Sequence, residues 1–291
     1  MRKLSLAALA LLLTCLTLPA RPSASQNAGE RFKNQVLAIA AAGSDSAARR
    51  TAITRRLDEM GLRYCVEPFA FNGRRGANVI AELPAAAAGG ARRLMLGAHY
   101  DRVPEGQGAI DNASGSAAVL ELLAALQAKP LPHTSVTAAF FDLEEVGLRG
   151  SQAFIAAASE KNLPHVFINF DVFGYGDMLW VMSPTPDTPA AAAVRQAATS
   201  AKFPLELGPN YPPSDHLSFL KTKIETLSFS LIGQTEIPHI LKMFKGEKPD
   251  QVPRVMSLIH TPNDTPEQID AAAVGRALPV VEQAIRLMDA K

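Results

Sequence analysis

The sequence contains little cysteine, and this scarcity excludes one class of protein. The 291 residues include two cysteines, Cys15 and Cys65, and Cys15 lies in an N-terminal segment that we expect to be removed. A chain left with one cysteine forms no internal disulfide, so a small disulfide-stabilised scaffold is excluded. Since Cys65 stands alone in an apolar segment, we expect it to be a small buried side chain.

The chain also has no excess charge of either sign. Lysine and arginine total 29 against 28 aspartate and glutamate residues, which gives a formal net charge of +1. This balance provides no electrostatic footprint for nucleic acid, so we expect no nucleic-acid partner. The sequence shows no repeat of fixed period, no G-x-S-x-G elbow, no P-loop and no C-x-x-C pair. Solenoids, serine hydrolases of the elbow type and P-loop proteins are therefore disfavoured.

Long apolar runs are absent except at the N-terminus. There, Arg2 and Lys3 precede the apolar run Leu4–Leu18, and small residues follow it. A charged start, an apolar middle and a small-residue end are typical of a secretory signal. The run is shorter than the roughly 20 residues that a transmembrane helix needs. We therefore predict a signal peptide over residues 1–25.

Removal of this signal has consequences for location and charge. We expect cleavage after Ala20 or Ser25 and export to the periplasm or the medium. The segment carries three basic residues and no acidic one, so the mature chain has a formal charge of −2. A lipoprotein anchored through Cys15 is a weaker alternative, because Thr14 fits poorly before the cysteine of a lipobox. No second apolar span follows, so we expect no stable membrane span in the mature chain.

Beyond residue 25, strand-like and helix-like segments alternate. The predicted strands are Leu62–Phe71, Ala77–Leu83, Arg93–His99, Thr134–Asp142, Val166–Asp171, Met178–Met182 and Lys223–Leu231. The predicted helices cover 26–60, Asn112–Ala128, Gly150–Ser159, Ala190–Ala201 and Pro266–Met288. Such alternation predicts an α/β fold with three α/β/α layers, in which helices cover both faces of a mostly parallel mixed sheet.

We expect residues 26–291 to form one catalytic domain, because no composition break divides them. A polar, proline-containing insertion at about 234–257 interrupts the alternation, and a segment of this kind is usually a surface excursion or a lid over a site. We predict that it forms a flap. The last helix has a readable start, because Thr265 can cap it and Pro266 suits its first position.

Acidic residues and histidines follow the predicted strands with unusual regularity. They are His99, Asp101, Asp111, Glu144, Glu145, Asp171 and His260. Open α/β sheets place their sites at the carboxyl ends of strands, so we expect these side chains to converge. Two imidazoles with several carboxylates form the mixed nitrogen and oxygen donor set that suits zinc. A carboxylate can also bridge two ions held roughly 3.5–4 Å apart.

Five motifs in this order resemble those of a known family. They are Gly97–Asp101, Ala109–Gly115, Phe141–Gly147, Asn169–Asp171 and His260–Thr265. The chain is similar from about Arg31 onward to the co-catalytic di-zinc aminopeptidases. These are secreted, leucine-aminopeptidase-like zinc exopeptidases of peptidase clan MH, whose fold is also described as phosphorylase/hydrolase-like.

The resemblance implies a ligand set for two Zn²⁺ ions. It assigns His99, Asp111 and Asp171 to one ion, and Asp111, Glu145 and His260 to the other, with Asp111 as the bridge. It also implies a cis peptide bond between Asp111 and Asn112.

The resemblance further implies three roles beside the metals. Asp101 would orient the imidazole of His99, and Glu144 would act as the general base. Tyr211 would hold the oxyanion, since it stands three residues before a Ser-Asp-His run. In some relatives, cysteines flank this tyrosine, whereas here Pro209 and Pro213 occupy those positions. From the residues alone, His216 of the run could equally cap a helix or line the substrate pocket.

These implications predict an exported metallo-exopeptidase that hydrolyses the N-terminal peptide bond of peptides with a free N-terminus. A glutaminyl-peptide cyclotransferase with one zinc, a carboxypeptidase or another zinc amidohydrolase could use the same fold. The Asp111–Gly115 stretch looks like the peptidase version. A catalytically silent binding domain is the non-enzymatic alternative, and the complete ligand set together with Glu144 speaks against it.

Overall fold

The computed structural model describes residues 24–87, 92–159 and 163–289. Cys15 and most of the predicted signal peptide lie outside these ranges. The helices are α1 (Ala24–Ala40), α2 (Ser46–Glu59), α3 (Ser114–Ala128), α4 (Arg149–Ala157), α5 (Pro189–Ala201), α6 (His216–Phe219), α7 (Ile237–Phe244), α8 (Arg254–Leu258) and α9 (Ala271–Asp289). The strands are β1 (Arg63–Phe71), β2 (Arg74–Leu83), β3 (Arg92–His99), β4 (Thr134–Phe141), β5 (Val166–Phe170), β6 (Met178–Met182), β7 (Leu205–Gly208) and β8 (Glu225–Ile232).

The described strands form one eight-stranded sheet in the order β1-β2-β4-β3-β5-β8-β6-β7. The pairs β3–β4, β3–β5, β5–β8 and β6–β7 are parallel, and the other three pairs are antiparallel. The predicted α/β class with a mixed sheet is therefore confirmed. Strand β7 was not predicted, because four residues at a sheet edge carry too short a pattern to be recognised.

The three layers arise from alternation along the buried strands. On β3, Leu94 and Leu96 face the larger core, which α1, α3, α5 and α9 complete, while Met95 faces a smaller core on the opposite side. Successive strand residues point to opposite faces, so continuous apolar strands fill both cores. On the smaller side, the rings of Phe167 and Phe219 stack with centroids 3.6 Å apart.

One helical stretch of the described chain, Ala109–Ala128, is apolar and long enough to cross a membrane. However, 89% of its apolar window is buried inside the fold. Its hydropathy is therefore explained by its position between the sheet and the neighbouring helices, which is the usual composition of a fully buried core helix.

Two predictions about helix boundaries were wrong. The predicted helix over 26–60 is divided, because α1 ends at Ala40 and Asp45 caps a new helix by accepting from Ala47 N at 2.9 Å. Thr265 caps no helix with its side chain. Instead a 3₁₀ turn precedes α9, and Asp270 caps α9 by accepting from Ala273 N at 2.9 Å. In both places a nearby aspartate is the stronger acceptor for free N–H groups.

Cys65 is exposed rather than buried. It lies on β1, which is the edge strand of the sheet and is mostly exposed. An edge strand has a neighbour on one side only, so apolar residues there are not necessarily covered.

The segment at about 234–257 is more regular than the sequence indicates. It contains α7 and most of α8, and Pro238 and Pro253 lie at the starts of these helices. A proline is tolerated there because the first N–H groups of a helix have no partner within it. Ile237 and Ile240 bury one side of α7 against the domain.

Candidate metal centre

The candidate ligands converge at the carboxyl ends of adjacent strands. His99 is the last residue of β3, Asp171 directly follows β5, and Glu145 follows β4 by four residues. Asp111 lies in the π-helical turn Ala109–Ala113 before α3. His260 follows α8 with a left-handed φ of 58°. Because β4, β3 and β5 are neighbours, the topology brings their ends to one place.

Asp111 lies between the two histidines. Its Oδ1 is 3.2 Å from His99 Nε2, and its Oδ2 is 3.2 Å from His260 Nε2. Asp171 Oδ1 is 3.7 Å from His99 Nε2, and Glu145 Oε2 is 3.1 Å from His260 Nε2. The donor atoms of His99, Asp111 and Asp171 lie within 4.8 Å of one another, as do those of Asp111, Glu145 and His260. Two three-residue groups therefore share one carboxylate.

The hydrogen bonding of these groups tests whether they fit a metal. Asp171 Oδ1 and Glu145 Oε1 are buried and have no hydrogen-bond partner among the described residues. Buried carboxylate oxygens without a partner are costly, so these atoms call for a cation. Each group offers one imidazole nitrogen and two carboxylates, which is a donor set that zinc accepts. The residues therefore fit zinc.

The electrostatics of the cluster lead to the same conclusion. Burial opposes the charged form of His99, but the surrounding carboxylates, led by Glu144, outweigh it and hold its pKa well above its ordinary value. Burial raises the pKa of Glu144. Burial and the charge of Asp111 together raise the pKa of Glu145. Burial and neighbouring carboxylates thus disfavour the charged forms of these glutamates, and a divalent cation would supply the positive charge that stabilises them.

Asp101 connects the first histidine to the loop that carries both glutamates. Its Oδ1 is 3.4 Å from His99 Nδ1 and accepts from Glu144 N at 3.0 Å. Its Oδ2 accepts from Glu145 N at 3.2 Å. One carboxylate therefore fixes the ring orientation of a candidate ligand and the backbone of two further site residues.

A cavity of about 260 Å³ opens beside the cluster, and Glu144 and Tyr211 line it. Glu144 belongs to neither three-residue group, although its Oε2 is 3.9 Å from His99 Nε2. The Tyr211 phenol is 2.5 Å from Ser230 Oγ, which in turn donates to Asp171 O at 2.5 Å. Since Ser230 has one hydroxyl hydrogen, the phenol must be the donor to Ser230. Burial raises the pKa of Tyr211 above its ordinary value, so the phenol keeps its proton.

His216 is not among the residues that line this cavity. It is the first residue of α6, is buried, and packs edge-on against Tyr211 with ring centroids 5.6 Å apart. Burial lowers its pKa to about 4, so the ring is neutral. This contact therefore supports the ring of Tyr211.

The cis peptide bond between Asp111 and Asn112 is also present, as the resemblance implies.

Sequence reasoning missed two residues that hold the loops of the site. The Asp264 carboxylate accepts from Ile110 N at 2.6 Å and from Asp111 N at 3.2 Å. Asp264 lies within the His260–Thr265 motif, so its place in that motif is a signal that could have revealed it.

Arg49 is the second residue that sequence reasoning missed, and it lies outside all five motifs. It is fully buried, and its guanidinium donates to the carbonyl oxygens of Tyr100, Gln107 and Gly108 at 2.5–3.0 Å. Burial lowers its pKa to about 10, which leaves it charged at neutral pH. It thereby anchors the loop between His99 and Asp111.

Comparison with known proteins identifies a family that this chain matches. Residues 78–285 match the profile of peptidase family M28. Leupeptin-inactivating enzyme 1 of Streptomyces exfoliatus is 37% identical over 122 residues, which cover 41% of this chain and 27% of that protein. An aminopeptidase of Pseudomonas aeruginosa strain UCBPP-PA14 is 47% identical over 83 residues, or 28% of this chain and 15% of that protein. The matched segments therefore span 27% of the first curated relative and 15% of the second.

Solved structures share the fold over more of the chain. A zinc aminopeptidase from Bacillus subtilis, BSAP, superposes with a TM-score of 0.60 at 26% identity over 75% of this chain and 51% of that one. The glutaminyl cyclase of an Acidobacteriales bacterium superposes with a TM-score of 0.69 over 95% of this chain and 99% of that one, at 19% identity. The second likeness concerns the fold alone.

Proposed function

The chain belongs to peptidase family M28, and on that premise we propose that the protein is an exported zinc-dependent aminopeptidase. It would hydrolyse the N-terminal peptide bond of peptides whose α-amine is free. The observation that carries this proposal is the position of Asp111, whose two carboxylate oxygens each lie 3.2 Å from a different histidine. A carboxylate placed in this way suits a bridge between two metal ions.

The residues that would hold the ions are the two groups described above. His99 and Asp171 would complete one site and Glu145 and His260 the other, while Asp111 would contribute to both. Bound zinc would supply a Lewis acid for the scissile carbonyl and would lower the pKa of water toward neutrality.

Glu144 would move the proton. Its carboxylate faces the cavity and contributes to neither ligand group, so it is free to accept a proton from the attacking water. It would then return that proton to the leaving amine nitrogen. Asp101 is a positioning residue in this scheme, because it holds the backbone N–H of Glu144 and the ring of His99.

Tyr211 would stabilise the oxyanion that forms at the scissile carbonyl. Its hydroxyl lines the cavity and, with its raised pKa, remains a hydrogen-bond donor. In the structure this hydrogen is donated to Ser230. Formation of the oxyanion would therefore redirect the phenol hydrogen from Ser230 to the substrate oxygen.

The carboxylates that line the cavity would favour a substrate ammonium group, which selects peptides with a free N-terminus. The test is release of the N-terminal residue from a free peptide, from its N-acetylated form and from a peptide that begins with glutamine. Hydrolysis of the free peptides alone supports the proposal. Hydrolysis of the acetylated peptide would reassign the protein to another amidohydrolase reaction. Conversion of the glutamine peptide to a pyroglutamyl product without hydrolysis would make it a cyclotransferase, and no reaction with any of the three would favour a binding domain.

A further inference from the structure

The cavity beside the metal centre has an apolar wall in addition to its carboxylates. This wall is formed by Trp180, Ile232, Ile240, Phe244, Val255 and Met256. Among the residues of the described chain that line the cavity, ionisable side chains are confined to Glu144, Tyr211 and the candidate ligands. A charged substrate side chain would lose its hydration at this wall without finding a partner, whereas a large apolar one would gain from burial.

Much of this wall belongs to one segment, which we call the α7–α8 wall and define as residues 237–258. It contributes Ile240 and Phe244 from α7 and Val255 and Met256 from α8. Phe244 is 55% exposed and Met256 is 41% exposed. Large apolar side chains that line a cavity and remain half-exposed are typical of a surface that a ligand covers.

Glu236 holds this wall in place. It directly precedes α7, is buried, and accepts from Val255 N at 2.7 Å and from Tyr175 OH at 3.2 Å through Oε2. Its Oε1 accepts from Gly233 N at 3.2 Å. Gly233 directly follows β8, and Tyr175 lies four residues after Asp171. One carboxylate thus connects the start of α8 to the backbone of Gly233 and to the side chain of Tyr175.

Loss of this carboxylate would leave two buried donors, the Val255 N–H and the Tyr175 hydroxyl, without an acceptor. A buried donor without an acceptor is unfavourable, so we expect the backbone to move until both groups reach water. The start of α8 carries Val255 and Met256 into the cavity, so movement there changes the wall directly.

We infer that Glu236 is a positioning residue that sets the substrate preference, because it holds the α7–α8 wall where peptides with a large apolar first side chain are accepted. This inference rests on the proposed aminopeptidase function. It predicts that the wild-type protein releases N-terminal leucine or phenylalanine faster than alanine or lysine.

The test compares Glu236→Ala, Glu236→Gln and Tyr175→Phe with the wild type. The matched control is Lys242→Ala, which removes an exposed ion pair with Asp250 on the same segment and touches neither the cavity nor Glu236. For Glu236→Ala we expect kcat/KM for a leucine peptide to fall about tenfold, mainly through KM, which corresponds to a loss of about 1.4 kcal/mol of binding free energy. For an alanine peptide we expect a change of less than about threefold. Glu236→Gln and Tyr175→Phe should be intermediate, and the control should match the wild type.

An equal loss for leucine and alanine peptides would overturn the inference, as would an unchanged leucine preference in Glu236→Ala. Met256→Trp provides a second route if Glu236→Ala does not fold, since Met256 is half-exposed and a larger side chain there narrows the cavity. It should lower kcat/KM for leucine more than for alanine, and an equal effect on both would contradict an apolar side-chain pocket.

Hydrogen exchange separates this inference from the proposed function. The backbone amides of α8 should exchange about tenfold faster in Glu236→Ala than in the wild type, and they should be unchanged in Lys242→Ala. This readout needs no substrate. If no variant hydrolyses peptides while α8 still loses protection, the proposed function fails and the positioning role of Glu236 stands. Unchanged protection of α8 would overturn that role whatever the activity.

Discussion

The Asp264 carboxylate accepts the backbone N–H of Asp111 from 153 positions along the chain. Asp111 is the residue that both candidate ligand groups share, and Asp264 lies four residues after His260, which belongs to one of them. Gln107 N also donates to Asp264 O at 2.7 Å. The loop that carries His260 and the loop that carries Asp111 are therefore fastened together at the metal centre.

Replacement of the Asp264 carboxylate should lower the affinity for zinc. In Asp264→Asn one acceptor oxygen is lost, so Asp111 is held less firmly, and we expect zinc affinity to fall about tenfold. Competition with a chromophoric chelator measures the change. The control is Asn263→Ala, because the Asn263 side chain donates to Ser257 O at an exposed site. Equal zinc affinity in Asp264→Asn and wild type would show that the contact does not position the ligand.

Removal of the proposed base should separate turnover from metal binding. Glu144→Gln keeps the size of the side chain but cannot accept the proton, so we expect kcat to fall by about 10²–10⁴ while zinc content is unchanged. Glu145→Gln is the matched comparison, because Glu145 is a candidate ligand whereas Glu144 is not, and this variant should bind less zinc. Near-normal turnover in Glu144→Gln would remove Glu144 from the mechanism.

The proposed oxyanion donor can be tested with a pair of variants. Tyr211→Phe removes the phenol hydrogen, so we expect kcat to fall about 10²-fold with little change in KM or zinc content. Ser230→Ala removes the group that receives this hydrogen in the structure but leaves the phenol in place. It should therefore retain far more activity than Tyr211→Phe. A larger loss in Ser230→Ala would mean that the Ser230 contact with Asp171, rather than the phenol, is what matters.

Arg49 should be important for stability as well as for loop position. Arg49→Met removes a buried guanidinium that three backbone carbonyls use. We expect the free energy of unfolding to fall by roughly 2–4 kcal/mol, because buried acceptors lose their donors. Urea unfolding monitored by circular dichroism measures this change. Arg55→Met, on an exposed position of α2, should change it by less than about 0.5 kcal/mol. Similar stability of the two variants would contradict a structural role for Arg49.

The sequence was most informative where local pattern and chemistry coincide. Continuous apolar segments predicted β3, β4 and β5 to within about one residue, because strands buried on both faces have an unmistakable composition. The positions of His99 and Asp171 at their ends then indicated where the candidate ligands would meet.

What the sequence did not reveal depends on contacts between distant segments. Nothing around Arg49 predicts that it reaches carbonyl groups 51–59 residues away. The sequence likewise does not reveal that the buried Glu236 carboxylate accepts hydrogen bonds from Tyr175, Gly233 and Val255. The exposure of Cys65 depends on which strand lies at the edge of the sheet, and that is a property of the topology rather than of local composition.

The central claim is that Asp111 serves two metal ions at once. The most direct measurement is the zinc content of the purified protein after dialysis against buffer with a small excess of free zinc, compared with that of His260→Ala. We predict two zinc ions per chain in the wild type and one in His260→Ala, since that variant loses a ligand from one group only. One zinc ion per chain in the wild type, with no change in His260→Ala, would contradict the account.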